Sequence, residues 1–379
     1  MNDINIYYGS DVRFDNAIKD LKNYHTIGEL LNHIDKKKSI INVLLEASQK
    51  SEEPPLNIKN LVMFTDDYGA VSEWAIMGFS NNVLNHTSVT VENIWLNNPP
   101  IKIYEDIKKT YPDNIKSNTP TYQTQEITTD ILSNISKNYN SLIIGQDHAI
   151  KQILSALYSL RNQKRKKPVA ILFLGDSGVG KTETAKYINS FLLGKMVRIQ
   201  FSMQQTNEAY KYIFGANHGE DSLARELIRR ESNLILLDEF DKVQSSFFNA
   251  FYQMFDEGEF VDANYSVNVE KCIIICTTNY LSEKEAESKL GSPIFSRFSK
   301  IVTFNPISID NKIKIAENNY KEIYDQLDDE DKSLISNNRI LDFYKSNISR
   351  GYYKNMRMLK NDIEDSINFE ILKARKIIT

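Results

Sequence analysis

The residues Gly175-Asp176-Ser177-Gly178-Val179-Gly180-Lys181-Thr182 satisfy the pattern G-x-x-x-x-G-K-[ST] between an aliphatic run, Ala170-Ile-Leu-Phe-Leu174, and a helical pattern. That strand-to-helix setting is what the pattern needs to act on phosphate. Glycines let backbone N–H groups close round the oxygens, and a helix N-terminus adds its dipole. Lys181 supplies a cation for β- and γ-phosphates, and the Thr182 hydroxyl is a Mg²⁺ ligand. Further on, Leu234-Ile-Leu-Leu-Asp238-Glu239 ends four aliphatics in two acids. Burying those aliphatics sets the strand inside a sheet, so Asp238 emerges at the C-terminal edge, where α/β sheets bind ligands, and can hold Mg²⁺ through water. Glu239 points differently and can polarise an attacking water as general base. A small-molecule kinase has no need of that second acid, so the pair predicts an ATPase using ATP and Mg²⁺.

The elements that must position these residues are legible as periodicity. A chain of 379 residues exceeds the roughly 250 to 300 that one core organises, so at least two domains are expected. After residue 130 the pattern alternates: helix 146–165, strand 169–174, helix 181–193, strand 197–201, helix 222–230, strand 234–237, helix 245–257, then strands 272–276 and 301–304. Near-continuous apolar strands separated by helices predict a parallel sheet covered on both faces. From Asp310 onward only helical patterns remain. The predicted fold class is therefore α/β: a P-loop core over 131–307, a helical lid subdomain over 308–379, and a small α/β domain over 1–116, joined by a polar linker over 117–130. In the first domain helices are predicted at 14–22, 27–32, 39–49 and 103–110, with strands at 61–65 and 89–96. Its Asp66-Asp67 pair follows a predicted strand and reads as solvated loop acids, and His25, His33 and His86 lack ligand spacing. No internal repeat is visible by eye.

Composition narrows the class. With 41% hydrophobic and 25% charged residues the chain is ordinary for a soluble globular protein. Its formal charge is -4, and residues 1–130 carry 12 Lys+Arg against 18 Asp+Glu, so the acidic excess is N-terminal. That balance disfavours binding to nucleic acid by bulk electrostatics. The basic run Arg161–Lys167 lacks interleaved aromatics and reads as a solvated connector, and Asp328–Asp331 as an exposed helix start. Cys272 and Cys276 would lie about 13 Å apart on a strand, too far to bridge, and read as core residues. No apolar run approaches the roughly 20 residues that span a bilayer, and the cytoplasm is the expected compartment.

From Ile143 to about Phe369 the chain resembles an AAA+ ATPase, and more narrowly the second ATPase module of the Clp/Hsp-type ring unfoldases. Ile144-Gly-Gln-Asp-His-Ala-Ile150 resembles the family's motif ahead of the P-loop, which implies that Ile143 and Ile144 line the adenine pocket. Leu237-Asp-Glu-Phe-Asp-Lys242 resembles LDEIEK. Thr277-Thr-Asn279 resembles sensor 1, making Asn279 the amide that positions the lytic water. Pro293-Ile-Phe-Ser-Arg297 resembles the arginine-finger segment, with Arg297 donated to a neighbouring subunit, although the family has one more residue between proline and arginine. Asn355-Met-Arg357 resembles the helix start that carries the sensor 2 arginine; Arg350 and Lys360 are nearby cations that could take the role of Arg357.

The resemblance implies a homo-oligomeric ring, hexameric in the family, remodelling or assembling a protein partner that the N-terminal domain selects. One departure matters: between Phe214-Gly-Ala-Asn-His-Gly219 and Ser222-Leu-Ala-Arg225 the family's aromatic pore loop is shortened to Glu220-Asp221, as in torsins. A nucleotide-gated switch or scaffold without unfolding activity is therefore the second expectation, and a DNA-associated motor or loader the third.

Overall fold

A computed structural model describes residues 3–34, 55–120, 125–203, 208–335, 339–353 and 355–378. The helix expected at 39–49 lies outside them.

The first sheet contains β1 (Asp3–Tyr8), β2 (His25–Thr26), β3 (Leu56–Met63), β4 (Val89–Asn97) and β5 (Ile115–Pro120). All pairings are parallel and the order is β2-β3-β4-β1-β5. Helices α1 (Asp11–Ile18), α2 (27–34), α3 (Glu73–Met77) and α4 (Ile101–Thr110) cover it, burying Ile4, Ile6, Leu61, Ile94, Ile103 and Ile107. β1, β2 and β5 escaped the sequence reading because they are short or carry polar residues at alternate positions. The expected linker is shorter as a result. Residues 117–120 pair with β1 as part of β5, and residue 129 already starts the next helix.

The second sheet contains β6 (Val169–Leu174), β7 (Val197–Gln200), β8 (Leu234–Asp238), β11 (Ile273–Thr277) and β12 (Lys300–Thr303), with β9 (Glu259–Val261) and β10 (Ser266–Asn268) forming a separate antiparallel hairpin. Its order is β12-β6-β11-β8-β7, again all parallel. Both faces are dry, which explains the unbroken aliphatic runs. Leu172, Ile235, Leu237, Ile274 and Cys276 face one core with α8 (Glu208–Phe214), α9 (Leu223–Ile228) and α10 (Asn249–Asp256). Ile171, Phe173, Leu234, Leu236 and Ile275 face the other, with α5 (Thr129–Leu142), α6 (Asp147–Tyr158) and α7 (Lys181–Asn189). Cys272 and Cys276 are free and buried, as expected.

Two short helices, α11 (Glu283–Leu290) and α12 (Ser292–Phe295), precede β12. The C-terminal part is helical throughout: α13 (Ile309–Gln326), α14 (Asp329–Leu334), α15 (Arg339–Ser349) and α16 (Met356–Ala374) close on Ala316, Tyr344, Ile348, Leu359, Ile363 and Ile367. The acidic run is the N-cap of α14, where the Asp328 carboxylate accepts from the Asp331 amide. In the basic run, Arg165 is spent on the Pro168 carbonyl at 2.7 Å. Among the described residues no helix is long and apolar enough to cross a membrane.

Phe251 is fully buried among the rings of Phe201, Phe240, Phe255 and Phe260. Phe251→Ala should cost about 3 to 5 kcal/mol in the unfolding transition of this sheet, measured by chemical denaturation. A loss below about 1 kcal/mol would contradict the packing described.

Candidate functional site

The loop between β6 and α7 closes against four other parts of the chain. Gly175 has φ +136°, and a Cβ there would stand 2.6 Å from the Phe304 carbonyl oxygen; Gly178 has φ +82°, and its Cβ would stand 2.7 Å from Asn355 Oδ1. Only glycine tolerates both the backbone angle and the approach. The Gly175 amide also donates to the Tyr280 carbonyl at 2.8 Å, tying the loop to the exit of β11. Gln146, at the start of α6, donates to the Val179 and Asn305 carbonyls at 3.3 and 2.8 Å and accepts from the Asn305 amide. In the sequence Gln146 stands within a motif that assigns it no role; in the fold it joins the loop to the exit of β12.

Lys181 is 8% exposed and folds its ammonium back onto the Gly175 and Asp176 carbonyls, each at 2.6 Å. Burial pulls its pKa down to about 8, opposed by Asp176, Asp241 and Asp238. At the end of β8 the buried Asp238 carboxylate accepts from Thr277 Oγ1 at 2.6 Å and from Thr182 Oγ1 at 3.4 Å. Its other oxygen takes a two-pronged contact from Arg198 on the edge strand β7, at 2.6 and 3.0 Å. Thr182 and Asp238 thus present neighbouring oxygens of the type a hard divalent cation takes, and the pair fits Mg²⁺. Arg198 was missed: the only sign of it in the sequence is a lone charge in Val197-Arg-Ile-Gln200.

Glu239 follows in the left-handed region, φ +57°, its amide held by Thr277 Oγ1 at 3.0 Å. That turn ends β8 immediately after Asp238. Asn279 is exposed just beyond β11, next to Tyr280 and hence to Gly175. Ile143 is buried with a methyl 3.1 Å from where a Gly180 Cβ would stand, and Ile144 is half-buried beside it. Asn355 caps α16 through the Arg357 amide and lies against Gly178, so the first turn of α16, with Arg357 exposed on it, adjoins the loop. Lys360 is spent on Glu322 at 2.9 Å. Arg297 is held locally: its Nε donates to Asp256 at 2.7 Å, its Nη1 to the Pro293 carbonyl, and its guanidinium lies over the Tyr252 ring. Its partners all belong to its own surroundings and not to the phosphate loop.

Residues 166–338 match the family model of the AAA domain (Cdc48 subfamily). This module is similar to the AAA+ ATPase modules of the Clp/Hsp104 type. The chain is 29% identical over 282 residues to the chaperone protein ClpB of Malacoplasma penetrans, covering 65% of this chain and 39% of that protein. It is 31% identical over 220 residues to ClpB of Staphylococcus aureus strain COL, covering 49% of this chain and 25% of that one. It therefore spans well under half the length of these curated relatives. Among solved structures it resembles a closed-state cryo-EM reconstruction of Hsp104 with ATPγS and FITC casein, with a TM-score of 0.55, 21% identity, and coverage of 83% of this chain and 61% of that one. It also resembles an ADP complex of Hsp104 from S. cerevisiae, with a TM-score of 0.51, 23% identity, and coverage of 73% and 54%. At these identities the likeness is one of fold.

The lysine of the AAA+ module gives a pH prediction. Its amine is depressed from 10.5 to about 8 in the folded, nucleotide-free chain. Between those values the unfolded chain binds the extra proton, so nucleotide-free stability should rise with pH across that window, its desolvation cost being fully present below 8. A phosphate ligand favours the ammonium, so ATPγS affinity should fall by up to about tenfold per pH unit above 8. Titrations from pH 7 to 9.5 check this, with Lys181→Ala expected to bind weakly and without that pH dependence.

Proposed function

We propose that the chain hydrolyses ATP to remodel or assemble a protein partner, working as a homo-oligomeric ring. What carries this reading is the convergence at one sheet edge of Lys181, Thr182, Asp238, Thr277 and Asn279, with Glu239 in the turn that follows Asp238. In this reading the loop 175–180 and Lys181 bind the phosphates, Ile143 and Ile144 border the base, and Thr182 and Asp238 hold Mg²⁺. Bound there, Mg²⁺ would neutralise charge on the phosphates. Glu239 accepts a proton from water, Asn279 orients that water, and Arg357 meets the phosphates from the lid.

Arg297 acts in trans, the role implied for its segment, and the ring is hexameric by family resemblance. The acidic residues 1–116 select the partner, and the setting is cytoplasmic, in keeping with two buried free cysteines. The Hsp104 reconstruction with casein supports a protein as the object of this activity.

A second reading, a nucleotide-gated scaffold that threads nothing, is favoured by one observation. The shortened loop is covered in cis: His218 donates to the Val71 carbonyl at 2.8 Å, and a Cβ on Gly219 would stand 2.7 Å from Gly69 Cα. Crosslinking of a bound polypeptide to residues 216–221 would exclude the scaffold reading.

Mg²⁺-dependent ATPase activity should fall at least about a hundredfold in Lys181→Ala, while Glu239→Gln should keep ATP and remain as an oligomer by light scattering. Wild-type turnover in Glu239→Gln removes Glu239 as base. Arg297→Ala should lose about a thousandfold. Mixing it with Lys181→Ala subunits should restore part of the rate, because each supplies what the other lacks. No recovery on mixing argues against a finger in trans.

A further inference from the structure

Numbered from its own first strand, each of the two sheets has the same all-parallel order, 2-3-4-1-5. The registers align them residue by residue. Phe173 pairs with Thr277 as Tyr7 pairs with Asn97, and Cys276 pairs with Leu237 as Leu96 pairs with Met63. The Thr278 amide donates to the Phe173 carbonyl at 3.0 Å, and the Asn98 amide to the Tyr7 carbonyl at 2.8 Å. Gly175 leaves its strand at φ +136° and Gly9 leaves its own at φ +143°. On this alignment Asp238 and Glu239 fall on Phe64 and Thr65, so both acids that serve the phosphate site are gone from the first sheet.

The phosphate corner is gone as well. Residues 175–180 separate β6 from α7, whereas only Gly9 and Ser10 separate β1 from α1. The buried Asn98 side chain spans that turn, accepting from the Gly9 amide and donating to the Gly9 carbonyl, both at 2.8 Å. The helix opens with Asp11 where α7 opens with Lys181. Asp11 Oδ1 accepts from Thr65 Oγ1 and Asn97 Nδ2 at 3.0 and 2.8 Å, which leaves Oδ2 directed elsewhere. With Asp66 beside it the corner repels phosphate and suits a guanidinium.

A guanidinium pair from α9 and the residue after it meets that corner. Arg225, 5% exposed, donates to Asp66 Oδ1 at 2.6 Å, to the Thr65 carbonyl at 3.2 Å and to the Gly219 carbonyl at 2.8 Å. Arg229 donates to Asp66 Oδ1 at 2.9 Å and to Asp11 Oδ2. We propose that the first sheet, within residues 3–34 and 55–120, is a second, nucleotide-free copy of the P-loop sheet, whose phosphate corner has been rebuilt with inverted charge as the receptor for Arg225 and Arg229. The ligand of that corner is thus the ATPase module itself. It grips the segment that leads straight into β8, the strand that delivers Asp238.

Hydrogen–deuterium exchange on the full chain tests the docking. Arg225→Ala/Arg229→Ala should speed exchange at least about tenfold in 66–72 and 216–222 while β1 and β6 stay protected. Asp66→Arg alone should do the same. Unchanged exchange in the alanine variant, or in Asp66→Arg, overturns the proposal. Nucleotide occupancy is the independent arm: Lys181→Ala should retain no ATPγS, and retention of one equivalent overturns the claim that the first sheet is nucleotide-free. Absence of ATPγS from the unmutated chain would instead sink the ATPase reading and leave the docking result standing.

Discussion

A carboxylate that is 5% exposed at the end of an all-aliphatic strand is the constraint round which the ATPase module is arranged. Burying Asp238 without compensation would cost several kcal/mol. The compensation comes from three different elements: Thr182 at the start of α7, Thr277 at the end of β11 and Arg198 on β7. Each is brought there by the sheet order, which places β11 between β6 and β8 and puts β7 on the far side of β8. Thr277 has a second duty, holding the Glu239 amide and so fixing the turn that parts the two acids. Arg198 supplies the positive charge in direct contact with the carboxylate. Its position on an edge strand keeps part of the guanidinium in water.

The strands of this module were legible because burial on both faces leaves an unbroken aliphatic signature. The phosphate loop was legible because its glycines and lysine each answer a separate physical demand. What the sequence withheld were contacts made across the fold. Nothing local marks Gln146 as the link between the loop and the exit of β12, or Asn355 as the cap that rests on Gly178. The first sheet is half-legible: β3 and β4 carry apolar runs, while β1 is Asp-Ile-Asn-Ile-Tyr-Tyr, a two-residue alternation over only four residues, too short to stand out. The Asp66-Asp67 pair read as solvated loop acids, yet Asp66 faces two arginines more than 150 residues away in sequence.

The resemblance between the two sheets was invisible for a related reason. Strand order survives any substitution that keeps the strands apolar and the crossovers right-handed, whereas side-chain identity at the ligand edge is free to drift once the ligand is gone. Phe64 in place of an aspartate is such a change: it leaves no carboxylate of the kind that Thr182, Thr277 and Arg198 compensate at Asp238, and it adds a ring that packs edge-on against Phe14 at 5.3 Å. Shortening the turn to Gly9-Ser10 then removes the free backbone amides that a phosphate would have satisfied.

Charge inversion follows from the same accounting. A sheet edge with converging strand ends gathers amides and short polar side chains whatever it binds, and the sign of its ligand is set by the few residues at the helix start. With Lys181 there, the corner of the second sheet accepts an anion. With Asp11 there and Asn98 closing the turn, the first accepts a cation. Arg225 and Arg229 are suited to that receptor because a planar guanidinium presents several donors at fixed angles to carboxylates and carbonyls together, which a lysine cannot do. Arg225 also donates to the carbonyl of Gly219, where the absence of side chains on Gly69 and Gly219 lets the two backbones meet. The charge on the first sheet's edge therefore acts as a structural ligand site, and the N-terminal acidity is a local device as much as a net charge.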